Sequence, residues 1–426
     1  MESLPFDNLP KEFEHHIIYD IADAVDEQIP VWFFPPLYKY IEDSDDDASF
    51  WVTGWDSSHR LEITGKISSG VVNINKHSVE PKQKRNLIQQ VLLECRSSHA
   101  EKIRKGFRYN IESSIEDSWL SPMGGVQFKE KSITSFPVSV QVKIDGIRCL
   151  ICRRNNKIEA YSRNHTLIMY IEHIIEEAKE LIDLLPDKSV LDGELYLEME
   201  RADIKSAVVT KSRENKNKFN RPPNAQYLKY YLFDVKLPET LNPLDVVMEN
   251  RYEKLLTTYN IAEELRRKEF EHVFVVPNHV CETIEDVYNW YNYYVDSGHE
   301  GIMVKQMANG AMKGKQYEKA LYVSSKMINI MKLKKMEECE VVIDGVIEKS
   351  KGAEKTRGMA KFITYSFNKD KKAVINPRGT FEEQRYWYEH PESVIGRIIT
   401  VRYQNLDRKS GLPQICSMVR FRDENE

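Results

Sequence analysis

The chain has 426 residues, with 61 Lys and Arg against 66 Asp and Glu, a net charge of −5, 41% apolar residues and 30% charged. That length exceeds one ordinary hydrophobic core, so two or three domains are expected. No run approaches the ~20 apolar residues of a membrane span, and the acidic start MESLPFDNLPKEFE has neither an apolar signal core nor an arginine-rich amphipathic pattern, which argues against secretion and mitochondrial import.

Residues 1 to about 48 read as irregular, with Pro35-Pro36 and a solvated acidic loop at Asp43, Asp45, Asp46 and Asp47. From Phe50 to Ile74 apolar and polar residues alternate, broken at Gly54, Gly65 and Gly70, which predicts a small antiparallel sheet. Leu87, Val91, Leu92, Cys95 and His99 then fall at helical spacing. Between Lys82 and Arg108 stand eight Lys or Arg against two Glu, a basic stretch in an acidic protein. Such a module can hold nucleic-acid phosphates with Lys82, Lys84, Arg85, Lys102, Arg104, Lys105 and Arg108; the alternative is a solvated basic helix face.

The stretch QVKIDGIRCL, Gln141 to Leu150, is the one around which the rest of the chain is organised. Val138 to Val142 alternates like a strand and Ile147 to Cys152 reads as its partner, across a tight bend at Asp145-Gly146. Lys143 leaves its strand just before that bend. A lysine with a pKa of about 10.4 is a poor nucleophile at neutral pH until it is desolvated or crowded by other cations. Cys149 and Cys152 form a CxxC, but no second pair follows at metal-finger spacing, so they read as structural; the six cysteines as a set fit a reduced, cytosolic-type protein.

A strand at Lys157 to Tyr161 leads into SRN, Ser162 to Asn164, and a helix is expected over Ile168 to Leu185. The strand Ser189 to Leu197 carries LDGEL with Asp192 and Glu194, and Tyr227 to Val235 ends in Phe233-Asp234 after a polar loop at Lys211 to Asn224. Helices are expected at Leu244 to Tyr259 and from Thr283, where Asp286 completes a capping box, to near Gly298. EGIMVK, Glu300 to Lys305, comes next. The strand Ile328 to Lys335 sets Lys332 and Lys334 on one face, because side chains two apart in a strand point the same way. Beyond Glu338, short strands at Cys339 to Ile347 and Ile395 to Tyr403, with a basic glycine-bearing loop at Lys349 to Gly358, fit a small barrel.

In this order, KIDGIR, SRN, LDGEL, LFD, EGIMVK and MKLK, with a tail ending in RFRD, resemble the motifs of covalent nucleotidyltransferases, specifically ATP-dependent DNA ligases, from Pro122 to the C-terminus. The resemblance implies a multidomain α+β protein: an N-terminal DNA-binding module over 1–115, an adenylation domain with antiparallel sheets over 116–335 and an OB-fold β-barrel over 336–426. The stretch from the aromatic strand through Gly65-Lys66 to Lys105–Phe107 also resembles the WGR-like module ahead of some phage and viral ligases. The layout as a whole resembles ligases of large cytoplasmic DNA viruses or phages.

The resemblance further implies that Lys143 attacks the α-phosphorus of ATP and holds AMP, with Lys332 and Lys334 on a facing strand neutralising the phosphates. Phe233 would stack on adenine, Gln141 would read its edge and Glu194 would bind the ribose. Glu300, with Glu194, would hold Mg2+ or Mn2+. Arg148 and Arg163 would grip the 5′-phosphate of a nick as well as the nucleotide, and Asp145 is the carboxylate expected to matter after adenylation. Arg422, with Arg420 as the alternative, would reach pyrophosphate, although Gln414 and Cys416 depart from the usual last motif. The expected partners are ATP and nicked duplex DNA, in repair, replication or recombination, with a monomer in the cytoplasm and no membrane. The rivals are an RNA ligase, an mRNA capping guanylyltransferase, or a nucleic-acid-binding protein that has lost catalysis. LDGEL, SRN and Pro122, Met123 and Phe128 favour a DNA ligase over capping, and intact Lys143, Glu300, Lys332 and Lys334 argue against a dead enzyme.

Overall fold

A computed structural model describes residues 31–40, 48–69, 72–197, 207–210, 222–238, 241, 243–308, 315–323, 326–349, 358–407 and 410–422. The acidic cluster Asp43 to Asp47, Gly70, most of the expected loops at 211–224 and 349–358, and Asp423 lie outside them. Contacts divide the chain into two compact units, Met1–Pro36 with Trp51–Ser98 and Lys334–Glu426, and Leu37–Phe50 with His99–Leu333. No helix among the described residues is long and apolar enough to cross a membrane.

In chain order, β1 (Trp32–Phe33), β2 (Leu37–Tyr40), β3 (Ala48–Trp55), β4 (Arg60–Lys66) and β5 (Val72–His77) precede α1 (Leu87–Arg104) and α2 (Ile111–Ser118). Then come β6 (Gly124–Gln127), β7 (Val138–Val142), β8 (Ile147–Arg154), β9 (Lys157–Ser162), β10 (Ile168–Met169), α3 (Glu172–Leu184), β11 (Val190–Tyr196), β12 (Val209–Thr210) and β13 (Lys229–Lys236). They are followed by α4 (Met248–Arg266), β14 (Val273–Val275), β15 (His279–Cys281), α5 (Ile284–Asp296), β16 (Gly301–Gln306), α6 (Lys315–Ala320) and β17 (Lys326–Lys334). The last elements are β18 (Glu337–Val342), β19 (Gly345–Glu348), β20 (Ala360–Thr364), β21 (Ala373–Ile375), α7 (Phe381–Glu389), β22 (Ile398–Tyr403) and β23 (Ser417–Phe421).

In the first unit, β1, β3, β4 and β5 lie side by side in that order. The strands run through Gly54 and Gly65 without breaking. Val91, Leu92 and Cys95 of α1 bury against Trp32 and Trp55, as the helical spacing requires. The C-terminal segment forms two three-stranded sheets, β18-β22-β23 and β19-β20-β21, over one core that includes Phe362, Trp387, Ile399 and Val401. A parallel bridge, Asn376 to Ser417, links the two sheets, and no closed barrel forms among the described residues. Helix α7, with a capping box between Thr380 and Glu383, was not legible in its short polar sequence.

The second unit holds two five-stranded sheets, β15-β7-β16-β17-β6 and β14-β13-β11-β8-β9. Each is mixed rather than purely antiparallel, since β6 runs parallel to β17 and β14 parallel to β13. One face of the β8-β11-β13 sheet buries Cys149, Leu191, Tyr230 and Leu232 under α3 and α4. The equivalent face of the β7-β16 sheet buries Val140, Ile302 and Val304 under α5, whose predicted capping box at Thr283 and Asp286 is present. Cys149 and Cys152, three apart on β8, belong to cores on opposite faces of their sheet, so the CxxC does not present two thiols to one ligand. Ile168 starts not the helix but the short strand β10, and α3 begins at Glu172.

Candidate active site

The expected hairpin between β7 and β8 does not exist. β7 pairs with β15 and β16, whereas β8 pairs with β11 and β9, so residues 143–146 carry the chain from one sheet to the other. Lys143 therefore stands between the two sheets. Its backbone N–H donates to Gly301 O at 2.9 Å, and its side chain is ion-paired with Glu300, which immediately precedes β16. The register Ile302 to Val142 is what brings positions 143 and 300 together. Gly146 serves close approach rather than a left-handed turn: a Cβ there would lie 2.1 Å from Leu195 O and 2.7 Å from Glu194 Cγ, so any other residue would push the crossover off β11.

Across β8, β11 and β13, pairing sets Glu194 opposite Arg148. Asp192 pairs with Asp234 while Gly193 pairs with Leu232, which leaves Phe233 as the extra residue of a β-bulge. A bulge re-aims the side chain it carries. Here the Arg148 guanidinium lies over the Phe233 ring, 4.7 Å from its centroid. Arg148 grips the fully buried Asp192 with Nε and Nη2. Burial opposes the guanidinium's charge, but Asp192 outweighs it and holds Arg148 protonated beyond its ordinary range. Burial drives the Glu194 carboxyl up to about 7, against the pull of Arg148 and Lys143.

The polar faces of the two sheets meet through Lys305 of β16, whose ammonium donates to Phe233 O at 2.7 Å and lies 3.4 Å from Asp234. Asp234 in turn is chelated by Arg251 of α4, at 2.9 and 3.2 Å. Burial alone would raise the Asp234 carboxyl, but Arg251 and Lys305 hold it down at about 2. Burial also pulls the Lys305 ammonium below its usual value despite Asp234. Sequence reasoning assigned no role to Lys305, Asp234, Arg251 or Tyr322. The available signal was an arginine falling in register with Met248, Leu255 and Ala262 on the buried stripe of α4.

Gln141 is 1% exposed; its Nε2 donates to Val276 O at 3.4 Å, and its Oε1 accepts no hydrogen bond. Met303, its neighbour across β16, shares its face. A Cβ on Gly125 would meet Lys332 Cε at 3.1 Å and Met303 Cε at 3.2 Å, so Lys332 also lies on that face. Lys332 thus comes not from a facing strand but from the same sheet, two strands or about 10 Å from β7. Lys334 closes β17, where the second unit hands over to the first. Arg163 is exposed, just past Ser162, which pairs with Cys149 beside Arg148. In the C-terminal segment Arg422 binds Glu340 at 2.8 Å, and Arg420 pairs across from Thr400 on β22.

The basic stretch is less available than its composition suggests. Lys82 lies 3.9 Å from Glu94, Lys105 binds Glu101 at 2.5 Å and Lys102 sits 5.1 Å over the Phe107 ring. Arg85 bonds Gln90 and Gln83. Arg108 donates to the carbonyls of Ile103 and Phe107, both at 2.7 Å, so it caps the end of α1. Lys84 is exposed, and the Arg104 side chain is outside the described atoms.

Among the described residues no three His, Cys, Asp or Glu side chains converge as a metal-binding group. Glu300 and Glu194 around Lys143 are hard oxygen donors, the kind that suits a divalent cation whose remaining ligands come from phosphate.

A lysine at the junction of two sheets, paired with Glu300 and within electrostatic reach of Glu194, suits covalent nucleotidyl transfer. Residues 123–334, just under half of the chain, match the family model of the ATP dependent DNA ligase domain. It is 24% identical over 292 residues to the DNA ligase of African swine fever virus (strain Badajoz 1971 Vero-adapted), covering 67% of this chain and 63% of the relative. It is 26% identical over 192 residues to a DNA ligase of Methanosphaera stadtmanae, covering 44% of this chain and 32% of the relative. The chain thus spans under two thirds of the length of these relatives. Among solved structures, Pmar-Lig superposes with a TM-score of 0.54 at 18% identity, covering 71% of this chain and 67% of that one. A Lig E DNA ligase superposes at 0.51 and 17%, covering 71% and 99%. At such identities the likeness is one of fold.

Proposed function

We propose that this protein seals 3′-hydroxyl/5′-phosphate nicks in duplex DNA through a lysyl-AMP intermediate. The observation that carries the reading is Lys143 at the crossover between two sheets, with Glu300 on one side and Arg148, Glu194 and Phe233 on the other. An ammonium paired with a carboxylate is no nucleophile, so the pair must part and the amine lose its proton before attack. Lys143 Nζ then bonds to the α-phosphorus of ATP as the bond to pyrophosphate breaks. AMP passes to the 5′-phosphate of the nick, and the 3′-hydroxyl displaces it to form the phosphodiester.

Phe233, aimed by its bulge, offers a stacking face to adenine. Gln141 offers its unpartnered Oε1 to the adenine amino group, and Val276 O holds the amide in that orientation. Glu194 is assigned to the ribose, Arg148 and Arg163 to the 5′-phosphate, and Asp145 to the steps after adenylation. Lys332 and Lys334 neutralise phosphate charge. Glu300 with Glu194 would hold Mg2+ or Mn2+, whose bound charge stabilises the phosphates during transfer.

We keep the three-part layout, 1–115, 116–335 and 336–426, with the last part as an OB-fold domain presenting Arg422 or Arg420 to pyrophosphate. The two small sheets over one core are consistent with that assignment. Nick binding as a monomer would rest on phosphate contacts, with Lys82, Lys84, Arg85, Lys102, Arg104 and Lys105 as candidates. The test is incubation with labelled ATP or GTP and magnesium. An acid-labile protein adduct from ATP that disappears in Lys143→Ala, followed by sealing of nicked DNA but not nicked RNA, is the expected result. Label from GTP alone would redirect the assignment to capping, and none from either would leave a binding protein.

A further inference from the structure

Four groups in the second unit close a ring of hydrogen bonds. Met123 N–H donates to Tyr322 Oη at 3.3 Å, and Tyr322 O–H donates to Asp192 Oδ2 at 2.5 Å. Asp192 accepts Arg148 Nε and Nη2, and Arg148 Nη2 returns to Met123 O at 3.2 Å. Met123 enters β6, Arg148 stands on β8, Asp192 on β11, and Tyr322 between α6 and β17. The ring therefore ties three other segments to the carboxylate on β11.

A guanidinium has five N–H donors in a fixed plane. The ring uses the one on Nε and both on Nη2, which leaves the two hydrogens of Nη1, fixed in the same plane, as the donors outside the ring. Asp192 alone would fix the plane of the fork only as well as it is itself fixed. Its Oδ2 is held from a second side by Tyr322, whose ring lies 5.5 Å from the Arg251 guanidinium and 5.8 Å from the Lys236 ammonium. Burial beside Asp192 pushes the phenol well above its ordinary pKa, so it stays a donor.

We infer that Tyr322 is a positioning residue: through Asp192 it locks Arg148 so that Nη1 alone is presented to a phosphoryl oxygen of the substrate. The inference rests on the ligase reading of Arg148, and it adds a side chain that lies in none of the motifs. Tyr322→Phe removes one oxygen and leaves the ring's packing.

The experiment is a double-mutant cycle of Y322F and R148K, read as single-turnover sealing by pre-adenylated enzyme, with thermal melting alongside. Y322F is expected to lower the rate about tenfold, the scale of one hydrogen bond to a charged group. In the R148K background, where the fork is already lost, Y322F is expected to change little. A Y322F enzyme at the wild-type rate overturns the inference. So do equal losses in both backgrounds, or a variant that fails to fold, because each makes the phenol a structural residue rather than one acting through Arg148. Failure of the wild-type protein to take label from ATP would instead sink the ligase reading itself, so the two failures are distinguishable.

Discussion

The two sheets that flank Lys143 hold their charges in different ways. On the β7-β16-β17 side, Lys143 pairs with a single carboxylate, Glu300, and Gln141 keeps a carbonyl without a partner. On the β8-β11-β13 side, Arg148, Asp192 and Asp234 are chelated or doubly bonded, Asp234 by Arg251 of α4 and by Lys305, which reaches across from β16, and all of these but Arg148 are nearly inaccessible to water. The first set is held by few bonds and can exchange partners. The second cannot without leaving an unpaired buried charge, and in the proposed reaction it would serve as the fixed wall facing the first.

The largest effect belongs to the fixed wall. Arg251→Ala leaves Asp234 buried with only Lys305 nearby, and is expected to cost about 3–5 kcal/mol in urea unfolding, as removal of one member of a buried pair does. A loss under 1 kcal/mol would mean that the wall is not held by charge at all. Next is Glu194, whose carboxyl rises from 4.5 to about 7 on folding, chiefly by burial. A raised carboxylate favours the folded state while protonated, so stability falls as pH rises from about 4.5 through 7. By pH 8 the loss approaches about 3 kcal/mol. Glu194→Gln is expected to melt higher than the parent at pH 8, with the gap closing toward pH 4.5.

On the exchangeable side the expectation reverses. Glu300→Gln should leave the unfolding free energy within about 1 kcal/mol but lower self-adenylation about a hundredfold, the scale of lost electrostatic stabilisation at a reacting phosphate. Equal damage to stability in Glu300→Gln and Arg251→Ala would erase the distinction between the two sheets.

Legibility in the sequence tracks the range of the interaction involved. The capping box at Thr283, the α1 stripe and most strand spans are local patterns, and they are present. Lys143 and Glu300 could be named from their motifs. Their meeting, however, depends on β7 pairing with residues 279–281 and 301–306, and no local feature separates a hairpin at Asp145-Gly146 from a crossover between sheets. The same holds for Phe233, whose bulge exists only relative to β11. Arg251 and Lys305 are hard to read because cations are solvent-facing by default, although Arg251 falls on the buried stripe of α4 and Lys305 lies within the buried span of β16.

The basic stretch carries the smallest and most discriminating effect. By charge count its cations are equivalent, but by geometry they are not. Arg108 spends its guanidinium on the carbonyls of Ile103 and Phe107, whereas Lys84 is exposed. Arg108→Ala is therefore expected to cost about 1 kcal/mol of stability, the scale of a lost helix-end bond. It should leave the salt dependence of nicked-DNA binding unchanged. Lys84→Ala is expected to do the opposite, leaving melting alone and reducing the slope of log affinity against log salt by about 1, the signature of one lost phosphate contact. If Arg108→Ala reduces the slope as much as Lys84→Ala, the arginine must leave its carbonyls on binding DNA, and α1 would then belong with the exchangeable sheet rather than the fixed one.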